Sequence, residues 1–186
     1  MQRNNHREVG VIMENYGYIH IYTGDGKGKT TASLGICLRT LAIGGRVFYG
    51  QFIKGDASSE FKILKKEKTF THKLFGSGRF IRKNPPPVDE INRAKIGLEM
   101  CAKALSSGDY DLVVLDEVNG AIGAGILSVD DVLSAFKKRS SQTEVILTGR
   151  NCDPKLIDYA DLVSEIKCVK HYFEEQGIPA REGIEF

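Results

Sequence analysis

The hydrophobic residues of this 186-residue chain follow two alternating patterns. Short runs rich in β-branched and aromatic residues end at glycine or at acidic residues, which is typical of strands. Longer stretches between them have apolar residues at every third or fourth position, which is typical of amphipathic helices. The predicted strands cover residues 18–24, 46–53, 110–118, 143–150 and 162–169, and a less regular strand ends the segment 58–70.

The predicted helices begin and end at recognisable signals. Residues 29–43 precede a Gly44-Gly45 stop, residues 128–139 open with a Ser128–Asp131 capping box, and Asp153 opens another helix. The broad apolar face of helix 29–43 is formed by Ala32, Leu34, Gly35, Ile36, Leu38 and Leu41. The long helix 88–106 has its face at Ala94, Gly97, Leu98, Cys101, Ala104 and Leu105.

Alternation of strands and helices predicts an α/β fold with a mostly parallel sheet and helices on both faces. The length suits one domain, which we expect to span residues 18–186. The polar residues 1–17 lack strand or helix periodicity, and we expect them to form a flexible N-terminal arm.

The composition and the net charge limit the classes of protein to which this chain can belong. The chain is 41% hydrophobic and 27% charged, as globular proteins are, and its net charge of +2 does not indicate a nucleic-acid or membrane-surface partner. No apolar run approaches the roughly 20 residues of a membrane span, and residues 1–17 lack the apolar core of a signal peptide. We expect a cytoplasmic protein whose widely spaced cysteines are buried free thiols: Cys37, Cys101, Cys152 and Cys168.

The segment TGDGKGKTT at residues 23–31 has the residues of a phosphate-binding loop. Such a loop binds phosphate oxygens with backbone N–H groups at a helix N-terminus. Its spacing is one residue shorter than G-x-x-x-x-G-K-[ST], but a strand precedes it and a helix follows it, as the motif requires. We expect Lys29 to reach the phosphates and the Thr30 hydroxyl to hold Mg²⁺. The rest of the predicted cradle is Gly24, Asp25, Gly26, Lys27, Gly28 and Thr31.

A second candidate element is LVVLDE at residues 112–117, an apolar strand that ends in two acids. Ligands of open α/β sheets bind beyond the carboxyl ends of the strands, so either Asp116 or Glu117 is a candidate for Mg²⁺, directly or through water. Arg150 follows another strand end and either contacts phosphate or begins a loop. Arg39, in the helix after the phosphate loop, either contacts the ligand or faces solvent. These patterns alone leave a kinase, an ATPase and a nucleotide switch open.

Six segments in this order resemble the P-loop type of ATP:corrinoid adenosyltransferases, the family that makes coenzyme B12. They are TGDGKGKTT (23–31), QFIKG (51–55), LVVLDE (112–117), ILTGRNC (146–152), LVSEIKCVKHYF (162–173) and GIEF (183–186). The resemblance extends over residues 18–186 and implies a RecA-like, P-loop NTPase-like fold.

The resemblance implies transfer of the 5′-deoxyadenosyl group of ATP to the Co(I) centre of a reduced corrinoid, with release of triphosphate. Because cobalt is the nucleophile, the protein needs none of its own. Its tasks are positioning and electrostatic stabilisation, which the resemblance assigns to Lys29, Thr30 and Glu117 with Mg²⁺. The alternatives are a phosphotransferase or ATPase acting at the γ-phosphate, and a non-catalytic ATP sensor.

The resemblance also implies how the corrinoid is seated. Family members displace the lower axial ligand of cobalt with aromatic residues in the loop before the long helix, where Phe80 is the first candidate here and Phe75 the second. The family pattern has a phenylalanine and a tryptophan two residues apart, but this chain has no tryptophan. A homodimer, an arm at residues 1–17 that covers a neighbouring site, and a flavoprotein electron donor are further expectations from the resemblance.

Overall fold

A computed structural model describes residues 16–55, 58–79 and 85–186. Its six strands form one sheet in which each neighbouring pair is parallel, in the order β3-β2-β4-β5-β1-β6. The strands are β1 (Ile19–Thr23), β2 (Val47–Gln51), β3 (Phe70–Leu74), β4 (Leu112–Asp116), β5 (Glu144–Thr148) and β6 (Leu162–Glu165). The α/β prediction with a parallel sheet is therefore confirmed.

Seven helices connect or follow the strands in the described part of the chain. They are α1 (Lys29–Ala42), α2 (Phe61–Leu64), α3 (Val88–Ser107), α4 (Val118–Gly123), α5 (Val129–Phe136), α6 (Pro154–Tyr159) and α7 (Tyr172–Gln176). The predicted capping box is present, because Ser128 Oγ accepts from the backbone N–H of Asp131 and the Asp131 carboxylate accepts from that of Ser128.

Side chains of the central strands alternate between two apolar layers. In β4, Val113 and Leu115 pack into the layer that includes α3, α5 and α6, whereas Leu112 and Val114 pack into the layer that includes α1 and α2. All five residues of β4 are buried, as expected of a parallel strand covered on both faces. Helices therefore cover both faces of the sheet, as predicted.

The sequence patterns missed several details. Helix α4 contains two glycines and α7 has only five residues, so neither shows a clear amphipathic period. Ala32 and Leu38 were expected on the apolar face of α1 but are exposed, Leu38 at 56%. The buried positions of that helix are Lys29, Ser33, Leu34 and Cys37.

The cysteine prediction is correct in part. All four thiols are free, but only Cys37 and Cys101 are buried, whereas Cys152, between β5 and α6, and Cys168, after β6, are partly exposed. Residues 1–15 of the predicted arm lie outside the described residues, so its role stays a prediction.

Candidate functional site

A cavity of about 650 Å³ opens at the edge of the sheet where the carboxyl ends of the strands meet. Strand β5 lies between β1 and β4, so the segments that follow these three strands surround one space. Nine of the residues predicted from the sequence line it: Asp25, Gly26, Lys27, Gly28, Lys29, Thr30, Thr31, Glu117 and Arg150. The predicted phosphate loop and the predicted acidic strand end therefore meet.

The phosphate loop is held against the segment after β6. The Gly26 N–H donates to the carbonyl of Ile166 at 2.8 Å, and a Cβ on Gly26 would lie only 2.7 Å from that oxygen. Gly28 caps the N-terminus of α1 with a φ of 117°, in the left-handed region that favours glycine. A Cβ on Gly28 would meet nothing within 4 Å, so the chain is open toward the cavity at this point.

Lys29 is the first residue of α1 and is only 7% exposed. Its ammonium donates to the carbonyl of Gly26 at 2.7 Å, inside the curve of the loop. Burial lowers the pKa of Lys29, and the nearby Glu117 carboxylate partly opposes that effect. A poorly solvated ammonium at a helix N-terminus is suited to an anionic ligand.

A second group of side chains, called the floor here, consists of two cavity-lining residues, Thr30 and Lys54, and three buried residues beneath them, Gln51, Asp116 and Thr148. Asp116 is fully buried at the end of β4. Its Oδ1 accepts from the hydroxyls of Thr148 at 2.6 Å and Thr30 at 2.9 Å. Its Oδ2 accepts from the amide of Gln51 at 2.9 Å and the ammonium of Lys54 at 3.2 Å. The carboxylate thus has two donors on each oxygen, which compensates for its burial.

Glu117 differs from its neighbour Asp116 in conformation and in surroundings. It caps α4 in the left-handed region with a φ of 61°, while its N–H donates to Thr148 Oγ1 at 2.9 Å. Burial raises the pKa of the Glu117 carboxyl, and the charge of Asp116 raises it further. The side chain lines the cavity, so Glu117 is the acid open to a ligand and Asp116 is the acid beneath it.

The C-terminal residues 171–186 form an outer wall of the cavity, which the sequence patterns did not predict. Its cavity-lining members are His171, Ile184, Glu185 and Phe186. Glu185 accepts from Lys27 of the phosphate loop at 2.8 Å and also contacts the Tyr172 hydroxyl. The GIEF segment is therefore part of the cavity, although no chemical role was assigned to it from the sequence.

Two predicted residues, Arg39 and Phe75, lie away from the cavity, and a third cannot be placed because it is outside the described residues. Arg39 is exposed in the last turn of α1, about 15 Å along the helix axis from Lys29 at 1.5 Å per residue. Phe75, the second aromatic candidate, is a core residue that is 7% exposed and contacts Phe52, with ring centroids 5.3 Å apart. Phe80 lies outside the described residues, so its role stays a prediction.

The remaining predicted residues contact one another at the rim. Arg150 Nη2 donates to the backbone carbonyl of Asp25 at 3.3 Å, which places its guanidinium beside the phosphate loop. Asp25 Oδ1 accepts from the N–H of Cys168, and this bond lowers the pKa of the Asp25 carboxyl. Gly24 lies behind the lining, where a Cβ would be 2.4 Å from the Ile166 carbonyl oxygen.

Sequence reasoning missed three residues of the floor. Gln51, Lys54 and Thr148 were not assigned roles, although two of them belong to the QFIKG segment. A signal was available for Gln51 and Thr148, since polar residues at the ends of buried strands are unusual and face the ligand edge. No comparable pattern marked Lys54, which follows β2 by three residues.

The site combines a phosphate loop with a buried strand that ends in two acidic residues. A known protein family matches the chain over most of its length. A sequence profile described as ATP:corrinoid adenosyltransferase BtuR/CobO/CobP matches residues 15–186. The chain belongs to this family. The resemblance drawn from six segments is thereby confirmed, and the chain is an enzyme of the transferase class.

Two relatives named as corrinoid adenosyltransferases support this membership, and an uncharacterized protein also matches. The chain is 36% identical over 181 residues to the corrinoid adenosyltransferase of Pseudomonas aeruginosa, covering 96% of this chain and 88% of that protein. It is 33% identical over 181 residues to the corrinoid adenosyltransferase CobA of Salmonella typhimurium, covering 96% and 90%. A Nostoc protein, all2391, is 36% identical over 169 residues, and there the chain spans 45% of its length.

A solved structure supports the fold alone. Flagellar accessory protein FlaH from Methanocaldococcus jannaschii matches with a TM-score of 0.54 at 14% sequence identity, over 81% of this chain and 71% of that one. The match supports the predicted α/β fold and is consistent with a P-loop-like domain.

No helix in the described segments is long and apolar enough to cross a membrane.

Proposed function

We propose that the described cavity transfers the 5′-deoxyadenosyl group of ATP to the Co(I) centre of a reduced corrinoid and releases triphosphate, in coenzyme B12 biosynthesis or salvage. The main support is that the phosphate loop and Glu117 line one cavity, directly above the hydrogen bond from Thr30 to buried Asp116, in a chain that belongs to this family. Transfer at C5′ requires the cavity to bind the triphosphate and stabilise its charge as it leaves.

Lys29 is proposed to stabilise the leaving triphosphate. Its ammonium contacts a backbone carbonyl in the free protein and has little access to solvent. A phosphate oxygen would be a stronger partner than that carbonyl, because it carries a negative charge that the poorly solvated ammonium would pair with directly. Lys27 and Arg150 lie at the rim, where their exposure leaves them a weaker electrostatic effect.

The floor residues fit a Mg²⁺ ion bound together with nucleotide. The Thr30 hydroxyl and the Asp116 carboxylate are 2.9 Å apart, and both offer the oxygen ligands that Mg²⁺ prefers. No cluster of three His, Cys, Asp or Glu able to hold a metal occurs among the described residues, so phosphate oxygens and water would supply most ligands. Bound Mg²⁺ would supply positive charge to the departing triphosphate.

Glu117 is proposed as the acid that orients water or metal at the cavity surface. Its carboxylate lines the cavity, whereas Asp116 is buried beneath Thr30 and fully hydrogen-bonded. We therefore assign the metal position to Thr30 and Asp116 together, and to Glu117 a contact at the cavity surface that changes when ligand binds.

The corrinoid side of the reaction rests on the family resemblance. Phe80 is proposed to displace the lower axial ligand of cobalt. We also propose a homodimer, a flavoprotein electron donor and a cytoplasmic location. These three proposals rest on the family, because no contact among the described residues bears on them.

The proposed reaction is tested by its products. The enzyme is supplied with ATP, Mg²⁺ and chemically reduced cobalamin, and a light-sensitive alkylcobalamin spectrum with stoichiometric triphosphate is expected. ADP and phosphate in place of triphosphate would identify the phosphotransferase or ATPase alternative. Tight ATP binding without turnover would identify the sensor alternative.

A further inference from the structure

The ammonium of Lys54 occupies a position between two of the oxygens that would bind a cation. Lys54 Nζ lies 3.0 Å from Thr30 Oγ1 and 3.2 Å from Asp116 Oδ2. Its side chain is 34% exposed and lines the cavity, whereas Asp116 is fully buried. Lys54 is therefore the positive charge that neutralises the Asp116 carboxylate in the described structure.

An unusual turn aims Lys54 at the floor. Ile53 has a φ of 64°, which is a conformational outlier for a β-branched residue. The turn is held by the Lys54 N–H donating to the Phe52 carbonyl at 2.6 Å and by the Gly78 N–H donating to the Ile53 carbonyl at 3.1 Å. Backbone strain of this kind persists where surrounding contacts enforce it, and it occurs often at functional sites.

The hydrogen bonds of Thr30 and Asp116 leave little room for a second cation. Thr30 Oγ1 donates its proton to Asp116 and accepts from Lys54, so Lys54 uses one of the two lone pairs through which Thr30 could bind a metal. Both oxygens of Asp116 already have two donors each. A divalent cation at this place would also be repelled by an ammonium about 3 Å from the same oxygens.

We infer that Lys54 is a built-in counter-cation that competes with the divalent metal for Thr30 and Asp116, so that the metal enters only together with the phosphates of the nucleotide. The inference rests on the proposed function in one respect, namely that a divalent metal binds at this floor. Lys54 would keep the buried carboxylate neutralised in the free enzyme. When displaced, its ammonium would remain in the cavity that also contains Lys29 and Arg150.

A purely structural role for Lys54 leads to a different expectation. In that case its removal would destabilise the fold without changing metal affinity. The discriminating measurement is therefore metal binding in the absence of nucleotide and corrinoid.

The test compares Lys54→Met with the wild type and with Lys62→Met. Lys62 forms an exposed ion pair with Glu182 at 3.2 Å and is the matched control. Free Mn²⁺, a probe for Mg²⁺, is followed by its EPR signal during titration of each protein without nucleotide. We expect Lys54→Met to bind Mn²⁺ about tenfold more tightly than the wild type, because an uncompensated buried carboxylate is strongly unfavourable. Lys62→Met should match the wild type.

Two further variants keep the test decisive. Lys54→Arg retains the charge and should bind Mn²⁺ as weakly as the wild type. Lys54→Met combined with Asp116→Asn should lose the gain, because the carboxylate that attracts the metal is gone. Equal Mn²⁺ affinity of Lys54→Met and the wild type would overturn the inference.

Thermal unfolding covers the case in which Lys54→Met is poorly stable. Mg²⁺ without nucleotide should raise the Tm of Lys54→Met, or of Lys54→Gln if the methionine variant does not fold, by more than it raises that of the wild type. An equal rise would contradict the inference. Neither measurement contains ATP or corrinoid, so failure of the proposed reaction in the product assay is recognised separately.

Discussion

The floor and the outer wall of the cavity are held by different kinds of interaction. In the floor, buried Asp116 contacts residues from α1, β2, β5 and the turn after β2, with sequence separations as large as 86 residues. In the outer wall, Glu185 contacts Lys27, Tyr172 and Arg181, with the Lys27 and Arg181 side chains 43% and 49% exposed.

The difference has an energetic consequence. Ion pairs with exposed partners contribute little to stability, because solvent screens the charges and long side chains lose freedom. A buried carboxylate with all its donors is costly to disturb, because each partner left behind is also buried. We therefore expect the floor to determine stability and catalysis, and the outer wall to adjust ligand binding.

The strongest test of this contrast is Asp116→Ala. The change leaves the Lys54 ammonium unpaired and removes the acceptor of Thr30 and Thr148, so we expect unfolding free energy to fall by about 3 kcal/mol or more. Urea denaturation measures the loss. The matched control is Asp130→Ala, which breaks an exposed pair with Lys155 at 3.1 Å and should lose less than about 1 kcal/mol. Equal losses would mean that the floor is no more important than a surface pair.

The next prediction compares two lysines of the same loop. Lys29→Ala should lower turnover about 10²-fold or more, roughly 2.7 kcal/mol of transition-state stabilisation, because its buried ammonium is proposed to contact the leaving triphosphate. Lys27→Ala should lower it much less, since Lys27 is exposed and already paired with Glu185. The kcat for adenosylcobalamin formation is measured for both. An unchanged kcat in Lys29→Ala would show that Lys29 does not face the leaving group.

The same contrast explains how much could be predicted from the sequence. Lys29, Thr30 and Asp116 follow from local signals, because a phosphate loop and a strand ending in acids each have a recognisable pattern. Parallel strands then bring the two together without further information. The position of Lys54 depends instead on the left-handed turn at Ile53, which no residue preference at that position predicts.

The outer wall could not be predicted for a different reason. Residues 171–186 contain one helix of five residues and a turn, so no hydrophobic period indicates where they pack. Their position depends on contacts between residues far apart in sequence, such as Ser59 Oγ donating to the Phe186 carbonyl. Exposed contacts of this kind leave almost no signal in composition.

His72 in the edge strand β3 extends the hydrogen-bond network of the floor, and we expect it to have a smaller effect on stability. His72 Nε2 donates to Gln51 Oε1 at 2.8 Å, and the ring stacks on Phe61. Burial lowers the pKa of His72 from 6.5 to about 4. Because the unfolded chain takes up this proton first, stability should fall as pH drops from about 6.5 to about 4, by roughly 1 kcal/mol after solvent screening is allowed for.

The His72 prediction is measured as a difference. The free energy of unfolding of the wild type and of His72→Gln is measured by urea denaturation at several pH values. In the difference between the two proteins, the contributions of groups that titrate equally in both cancel. The wild type should show the extra loss between pH 6.5 and 4, and above pH 6.5 the difference between the two proteins should be constant. Parallel curves over the whole range would show that His72 is not desolvated by its contacts with Gln51 and Phe61.

The smallest expected effect is that of Glu185→Gln in the outer wall. The variant keeps the size of the side chain but removes the charge that holds Lys27, so Lys27 becomes free to contact the nucleotide. Because the Lys27 end of the pair is 43% exposed and screened by solvent, we expect the KM for ATP to change by about threefold or less and kcat to stay nearly constant. Steady-state kinetics at varied ATP concentration measures both. A fall in kcat as large as that of Lys29→Ala would mean that the outer wall takes part in the chemical step, and the contrast with the floor would then be wrong.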